Sequence, residues 1–172
     1  MIKDSLEYKL ISAHYGTCFA KRSRVPLINH INEGLIVLDR IGATEQAKRA
    51  FCLHPLLQHD FDLDKNYYMV SNTCDARVVM LAMEYRSVAN EFLSDKINSG
   101  NEIRLSPLYE VNDMLAADKV QNYKDFLKYH FGTHPRSDDL IRYFDKWLKR
   151  LGITDEDHRR LSNIIDDNKV TV

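Results

Sequence analysis

The chain contains few residues that interrupt a helix. It has six Gly and four Pro among its 172 residues, and these two residue types are the strongest local breakers of regular structure. The segments between them are long enough for helices rather than strands. In the segment 45–54, for example, Ala47, Ala50 and Phe51 follow helical rather than alternating spacing. We therefore predict an all-α fold, and this length fits a single domain spanning residues 1–172.

The apolar spacing and the helix start and stop signals predict a bundle of about seven helices. The helices are expected at residues 5–14, 26–39, 44–54, 75–96, 106–131, 137–151 and 154–166. Thr44 is a typical N-cap for the third helix, and Pro26 and Pro107 lie where proline favours a first helical turn. The polar segment 55–72 has no clear period and is expected to be a loop.

The overall charge excludes several classes of partner. A formal net charge of -1 provides no global field that would hold DNA, RNA or an anionic membrane. The three cysteines are odd in number, far apart and without a CxxC, which argues against a disulfide framework and a structural zinc site. The N-terminal sequence MIKDSLEYKL lacks the apolar run of a signal peptide. We expect a cytoplasmic protein with no nucleic-acid or membrane partner.

Three segments each carry a potential metal ligand on, or at the end of, a predicted helix. VPLINHI contains His30, AFCLHP contains His54 and AADKVQN contains Asp118. Imidazole and carboxylate ligands together suit ions such as Mn2+. Asp118 and Asn122 are four residues apart, so both can face one pocket from the same side of a helix.

The order and context of these segments resemble the HD superfamily, and within it the hydrolase domain of the RelA/SpoT alarmone enzymes and their small single-domain relatives. SAHYGTCFAKRSRVPLINHI is similar to the family's opening, in which His-x-Gly precedes a basic loop, a Pro and the first ligand His. AKRAFCLHP is similar to the helix that carries the family's His-Asp doublet, and MLAADKVQNYKDF to its Leu-Ala-Asp-Arg-x-x-Asn helix. The resemblance covers about residues 9–130, whereas the predicted helices within 137–166 carry no motif of the family.

The resemblance implies an HD-type helical bundle that holds a divalent metal ion through His30, His54 and Asp118, with Mn2+ as the first candidate. It implies a metal-dependent phosphohydrolase that acts on a nucleotide or a pyrophosphorylated nucleotide. Five side chains are expected to bind the phosphates of this small ligand through charge-assisted hydrogen bonds. They are Lys21, Arg22, Arg24, Lys119 and Asn122.

The sequence departs from the family at the doublet itself. Pro55 stands where the family has the ligand Asp, and proline cannot coordinate a metal. Gln58 and His59 stand where the family has its Glu-Asp pair. Two alternatives restore a carboxylate: His59-Asp60 is the true doublet, or Pro55 turns the chain so that Asp60 swings back as a ligand or general base. In both, His59 and Asp60 are the candidate catalytic residues.

Three functions therefore remain open for the predicted pocket. The first is a metal-dependent phosphohydrolase. The second is a catalytically degenerate HD domain that binds a nucleotide or another phosphorylated ligand, and that holds no metal if Pro55 removes an essential ligand. The third is a protein-interaction module. Retention of His30, His54, Asp118 and Asn122 favours the first two functions, whereas Pro55 favours the last two.

Overall fold

The computed structural model describes residues 1–169, and all regular structure in this range is helical. The eight α-helices are α1 (Leu6–Tyr15), α2 (Ile28–Arg40), α3 (Glu45–Leu57), α4 (Asp60–Thr73), α5 (Ala76–Glu91), α6 (Tyr109–Tyr129), α7 (Ser137–Arg150) and α8 (Asp155–Lys169). The predicted all-α bundle is confirmed, with eight helices where about seven were expected. None of the helices within residues 1–169 is long and apolar enough to cross a membrane.

Side-chain caps fix where several helices begin. The Thr44 hydroxyl accepts a hydrogen bond from the Ala47 amide at 3.2 Å, as the sequence predicted for the start of α3. Ser5 caps α1 in the same way through the amide of Tyr8. The carboxylate of Asp75 accepts hydrogen bonds from two amides in the first turn of α5. Such caps can be predicted from the sequence because each capping side chain lies within three residues of the amide that it binds.

Two helices form the centre of the bundle and position the residues of interest. Helix α3 packs against α1, α2, α4, α5 and α6, and helix α6 packs against α2, α3, α5, α7 and α8. Most side chains of α3 are buried, among them Phe51, Leu53 and Leu56. Burial of this apolar surface is the main stabilising term of the fold. His54 and Asp118 lie on these two central helices, so their positions are fixed by the core.

The expectation of a loop at 55–72 is wrong, because most of this segment forms helix α4. Only a narrow strip of α4 faces the core, and it contains the polar Asn66 beside Val70. The buried amide of Asn66 donates to the backbone carbonyls of Leu56 at 3.1 Å and Asp62 at 2.9 Å. The bond to Leu56 joins α4 to α3, whereas the bond to Asp62 lies within α4. A helix whose inner face is held partly by a polar side chain shows little apolar periodicity, so the sequence pattern missed it.

Pro55 does not end α3, which continues to Leu57. A proline has no N–H to donate to the carbonyl four residues earlier, here that of Phe51. The Phe51 carbonyl accepts a hydrogen bond from Nδ1 of His54 at 2.6 Å. Because Pro55 cannot donate to it, the Phe51 carbonyl receives no helical hydrogen bond from position 55. It accepts the side chain of His54 instead.

Candidate metal centre and its cleft

The three potential ligands from distant parts of the chain meet at one point. His30 lies on α2, His54 on α3 and Asp118 on α6, and one ligand atom from each lies within 4.8 Å of the other two. The Nε2 atoms of His30 and His54 are 3.1 Å apart. Oδ1 of Asp118 is 3.5 Å from Nε2 of His30. His54 and Asp118 are buried, while His30 is half-buried at the floor of an open cleft.

Hydrogen bonds on the far side of each ring determine which nitrogen faces the cluster. Nδ1 of His54 lies 2.6 Å from the carbonyl oxygen of Phe51, which can only accept. Nδ1 of His30 lies 2.7 Å from the amide oxygen of Gln121. Both Nδ1 atoms therefore donate, and in the neutral rings both Nε2 atoms carry lone pairs. Metal-binding histidines show this arrangement, with the ring N–H held by an acceptor outside the coordination sphere.

Two lone pairs that face each other at 3.1 Å repel unless a cation lies between them. A single shared proton relieves this repulsion, and so does a metal ion. Two nitrogens bound about 2.1 Å from one metal ion, at a right angle, lie about 3 Å apart. The spacing of the two Nε2 atoms thus fits a shared metal ion, and the donor set of two imidazoles and one carboxylate fits Mn2+ or a similar divalent ion.

Asp118 is held in its ionised form. Burial alone would raise the pKa of Asp118, but Lys119 and the two histidines lower it to about 2. Nζ of Lys119 lies 2.7 Å from Oδ2, and the amide of Asn122 donates to Oδ1 at 2.8 Å. As predicted from their spacing, Asp118 and Asn122 face the same cleft, and they also form a hydrogen bond that the sequence did not predict. Oδ1 is also the oxygen nearest His30, so it is the atom that would face a bound ion.

His54 is correspondingly held neutral. Burial is the main cause that lowers the pKa of His54, to about 3, and the neighbouring His30 lowers it further. The ring packs edge-on against His30 and lies 4.8 Å from the ring of Tyr85. A neutral imidazole with a fixed Nδ1–H is the form that binds a metal ion through Nε2.

Lys119 is a buried cation beside the cluster. Burial would lower the pKa of its ammonium group, yet the carboxylate of Asp118 raises it above the ordinary lysine value. Its Nζ atom lies over the rings of Trp147 at 5.1 Å and Tyr143 at 5.7 Å. The pair formed by Lys119 and Asp118 has no net charge, so the centre contains no surplus negative charge to offset a metal ion.

The cluster opens into a cleft of about 740 Å³. The three potential ligands line it together with the exposed Arg22 and the half-buried His130 and His134. Tyr143 and Phe144 contribute apolar edges from α7. A cleft of this volume is large enough for a small ligand of nucleotide size.

The structure brings only part of the predicted substrate-binding set into the cleft. Arg22 lines the cleft, as do Lys119 and Asn122, whereas Lys21 and Arg24 are exposed and do not line it. An isolated antiparallel bridge between residues 19 and 26 closes the basic loop at its base. The loop thus directs one of its three basic side chains to the cleft.

Of the two predicted catalytic residues, only one lines the cleft. His59 lines the cleft, but Asp60 does not. The side chain of Asp60 is 96% exposed and forms a salt bridge with Arg86 of α5. Asp60 therefore does not swing back to the cluster, and the carboxylate of α4 that lines the cleft is Asp62.

Several residues of the site were not singled out from the sequence. Gln121 and Asp125 line the cleft beside Asp118 and Asn122. These four polar side chains are spaced at i, i+3, i+4 and i+7 on one helix, which is the signal that could have identified them. His130 and His134 also line the cleft, and they belong to no metal-binding group within residues 1–169.

Comparisons with known proteins identify no relative. No protein-family model, no curated protein and no solved structure matches the chain.

Proposed function

We propose that the chain is a metal-dependent phosphohydrolase of the HD type that acts on a nucleotide. One observation carries this proposal: two histidines with fixed Nδ1–H groups direct their Nε2 lone pairs at one point, beside an ionised aspartate. His30, His54 and Asp118 would hold the ion, with Mn2+ as the first candidate. A bound divalent ion supplies Lewis-acid stabilisation of the charge that develops on a phosphoryl group.

The charge balance of the centre favours a phosphate ligand. The carboxylate of Asp118 and the ammonium of Lys119 cancel at 2.7 Å, so the three ligands alone would not neutralise a divalent ion. The other carboxylates that line the cleft are Asp62 and Asp125, and Asp125 is already paired with Lys124. An anionic ligand that enters the cleft offsets the remaining positive charge. Arg22 adds a guanidinium group at the rim, where it can form charge-assisted hydrogen bonds to phosphate oxygens. The proposed substrate is therefore phosphorylated although the chain as a whole is almost neutral.

The proton transfers of hydrolysis would fall to residues on the α3–α4 side of the cleft. His59 and Asp62 both line this side, and imidazole and carboxylate groups are common general acids and bases. Asp60 is not assigned a role, since its carboxylate pairs with Arg86 outside the cleft. Tyr143 and Phe144 contribute only apolar edges to the cleft, since each is 7% exposed and packed in the core.

A binding module without turnover is the second candidate. Pro55 lines the cleft next to His54, and its side chain offers no ligand atom where the resembled family has a carboxylate. A centre with three protein ligands and no surplus negative charge would hold a metal ion and a phosphorylated ligand together. Such a complex binds the ligand without hydrolysing it if no base is correctly placed.

A phosphate-release assay separates these candidates. Metal-free protein is supplied with Mn2+ and a panel of nucleotides, and the Asp118→Asn variant is compared with Asp113→Asn, a change on the same helix outside the cleft. We expect turnover by the unmodified protein and by Asp113→Asn. The rate of phosphate release should fall about 100-fold or more in the Asp118→Asn variant. Even changes outside the coordination sphere typically lower metal affinity or activity by about 10- to 100-fold.

Absence of turnover in Mn2+-loaded protein over the whole panel would exclude the hydrolase. Nucleotide binding in that same preparation would then support the binding module. Turnover that survives Asp118→Asn would show that the reaction takes place elsewhere.

A further inference from the structure

Gln121 is a buried side chain whose two ends contact different parts of the site. It lies one helical turn after Asp118 on α6 and is only 1% exposed. Its amide oxygen lies 2.7 Å from Nδ1 of His30, on the side of the ring that faces away from the cluster. This contact joins α6 to α2 directly behind one of the three potential metal ligands.

Two carboxylates fix the orientation of the Gln121 amide. Its nitrogen lies 2.7 Å from Oδ2 of Asp125 and 3.1 Å from Oε2 of Glu33. Ionised carboxylates accept hydrogen bonds and cannot donate them. The amide nitrogen must therefore face the carboxylates, and the amide oxygen must face His30. A flipped amide would place its oxygen against both acidic groups and its nitrogen against the N–H of the ring.

Lys124 stabilises this pair of carboxylates. Its buried ammonium group lies 3.0 Å from Oε2 of Glu33 and 2.5 Å from Oδ1 of Asp125. Burial would lower the pKa of Lys124, but the hydrogen bonds to Asp125 and Glu33 raise it above the ordinary lysine value. The ammonium group donates to both carboxylates and can only donate, so the oxygens of Glu33 and Asp125 act as acceptors at this point of the site.

We infer that Gln121 is a positioning residue that fixes His30 as the Nδ1–H tautomer and so keeps Nε2 available to a metal ion. The inference rests on the proposed metal site. Without the amide oxygen, Nδ1 of His30 loses its acceptor. The ring then gains more by donating Nε2–H to Nε2 of His54, which lies 3.1 Å away. That hydrogen bond would occupy the lone pair of His54 and remove the one of His30.

The tautomer of His30 can be measured without any metal. Nitrogen-15 NMR of histidine-labelled protein in EDTA, at a pH of about 9 where histidines are ordinarily neutral, reports which ring nitrogen carries the proton. We expect a proton on Nδ1 of His30 in the unmodified protein and on Nε2 in Gln121→Leu. The matched control is Gln58→Leu, which alters another glutamine of the cleft that does not contact His30. It should leave the Nδ1 proton in place.

The variant Gln121→Glu provides a rescue that retains an acceptor for His30. It replaces the amide nitrogen by an oxygen that faces the carboxylates of Asp125 and Glu33, which should lower stability, but the folded protein should keep the Nδ1–H tautomer because His30 retains an acceptor. A proton on Nε2 in the unmodified protein, or an unchanged tautomer in Gln121→Leu, would overturn the inference. So would an Nε2 proton in Gln121→Glu.

Metal affinity then connects the tautomer to the function. Calorimetric titration with Mn2+ should show an affinity for Gln121→Leu that is lower by about 10- to 100-fold, the usual cost of losing an outer hydrogen bond to a ligand histidine. Equal affinities would overturn the positioning role. Failure of the unmodified protein to bind Mn2+ at all would instead overturn the proposed function, while the tautomer measurement would still decide whether Gln121 orients His30.

Discussion

Pro55 changes the site in two ways at the scale of single residues. Its side chain has no atom that could bind a metal ion, and it lacks the N–H that would otherwise bind the carbonyl of Phe51. That carbonyl instead accepts the Nδ1–H of His54 at 2.6 Å. The same residue therefore offers no ligand atom of its own and leaves the Phe51 carbonyl free to fix the Nδ1–H tautomer of His54.

A carboxylate at position 55 should add a fourth potential ligand to His30, His54 and Asp118. We predict that Pro55→Asp raises the affinity for Mn2+ by at least about 10-fold, because the new side chain lies in the cleft beside His54 and adds the negative charge that the centre lacks. Calorimetric titration measures the effect.

The variant Pro55→Ala separates the carboxylate from the backbone change. It restores the N–H to position 55 without adding a ligand, so its affinity for Mn2+ should not rise above that of the unmodified protein. If Pro55→Ala and Pro55→Asp gain affinity equally, a missing carboxylate is not what limits metal binding.

The residues of the cluster differ in how far the sequence could identify them. His30, His54 and Asp118 were predicted as one site from their sequence context, and the structure brings them together. Gln121 was not predicted, since its role depends on Glu33, which is 88 residues away in the sequence. Asp60 was predicted as a catalytic residue because it follows His59, but α4 turns its carboxylate towards Arg86.

At the scale of elements, the close approach of α2 and α3 determines the geometry of the two histidines. Gly34 of α2 faces the ring of Phe51 on α3, and a Cβ atom at position 34 would overlap this ring. The same ring lies 4.6 Å from the ring of His54 and 5.8 Å from that of His30. The packing of α2 on α3 and the placement of the two histidine rings are therefore coupled through one aromatic side chain.

Replacement of Gly34 by alanine should destabilise the protein although alanine favours helices. We predict that Gly34→Ala lowers the free energy of unfolding by about 1–3 kcal/mol, the usual cost of inserting a group into a packed core. Urea unfolding measures the change. In the double variant Gly34→Ala/Phe51→Leu, the free energy of unfolding should fall by less than the sum of the two single changes, because the smaller Leu leaves room for the methyl group. Strict additivity would contradict the proposed overlap.

The packing of α8 should depend on pH through His158. Burial lowers the pKa of His158, although the Val120 carbonyl and Asp155 oppose the shift. The unfolded chain therefore binds a proton more readily than the folded protein. The stabilisation is complete above the ordinary histidine pKa of about 6.5 and is lost as the pH falls below it, at up to about 1.4 kcal/mol per pH unit.

Urea unfolding at pH 7.5 and pH 5.5 tests this dependence. The variant His158→Gln should lose less stability between the two pH values than the unmodified protein does. His59→Gln is the matched control, because this histidine is exposed. An identical loss in His158→Gln and in the unmodified protein would rule out the assigned role of His158.

The elements that the sequence predicted well carry their own signals. Thr44 lies three residues from the amide it caps, and α3 follows it with regular apolar spacing. Helix α4 lacks such signals: its N-cap, His59, forms no side-chain cap, and its inner face depends on the hydrogen bond from Asn66 to Leu56. The hydrogen bond from Asn66 to Leu56 forms only when α3 and α4 pack together, so the sequence pattern of α4 alone does not reveal it.

At the scale of the whole molecule, one hydrophobic core connects the site to the C-terminal helices. Trp147 of α7 is fully buried, and Lys119 of α6 lies over its ring. His158 of α8 lies 4.8 Å from the ring of Tyr123 on α6. The helices that carry no recognised motif thus cover the outer side of the helix that bears Asp118.

This arrangement predicts that the chain unfolds as one cooperative unit. Trp147 is the single tryptophan of the sequence, so its fluorescence reports on the α6–α7 region, whereas far-ultraviolet circular dichroism reports on all helices. The two urea transitions should coincide in midpoint and steepness, as expected for two-state unfolding. A fluorescence transition at clearly lower urea would show that α7 and α8 separate before the rest of the bundle unfolds.

We propose that His30, His54 and Asp118 form one divalent metal site. Calorimetric titration of metal-free protein with Mn2+ tests it most directly, with His59→Ala as a control that alters another histidine of the cleft. We predict one ion per chain, retained in His59→Ala and lost in each of His30→Ala, His54→Ala and Asp118→Asn. No binding by the unmodified protein, or binding that survives these three changes, would contradict the account.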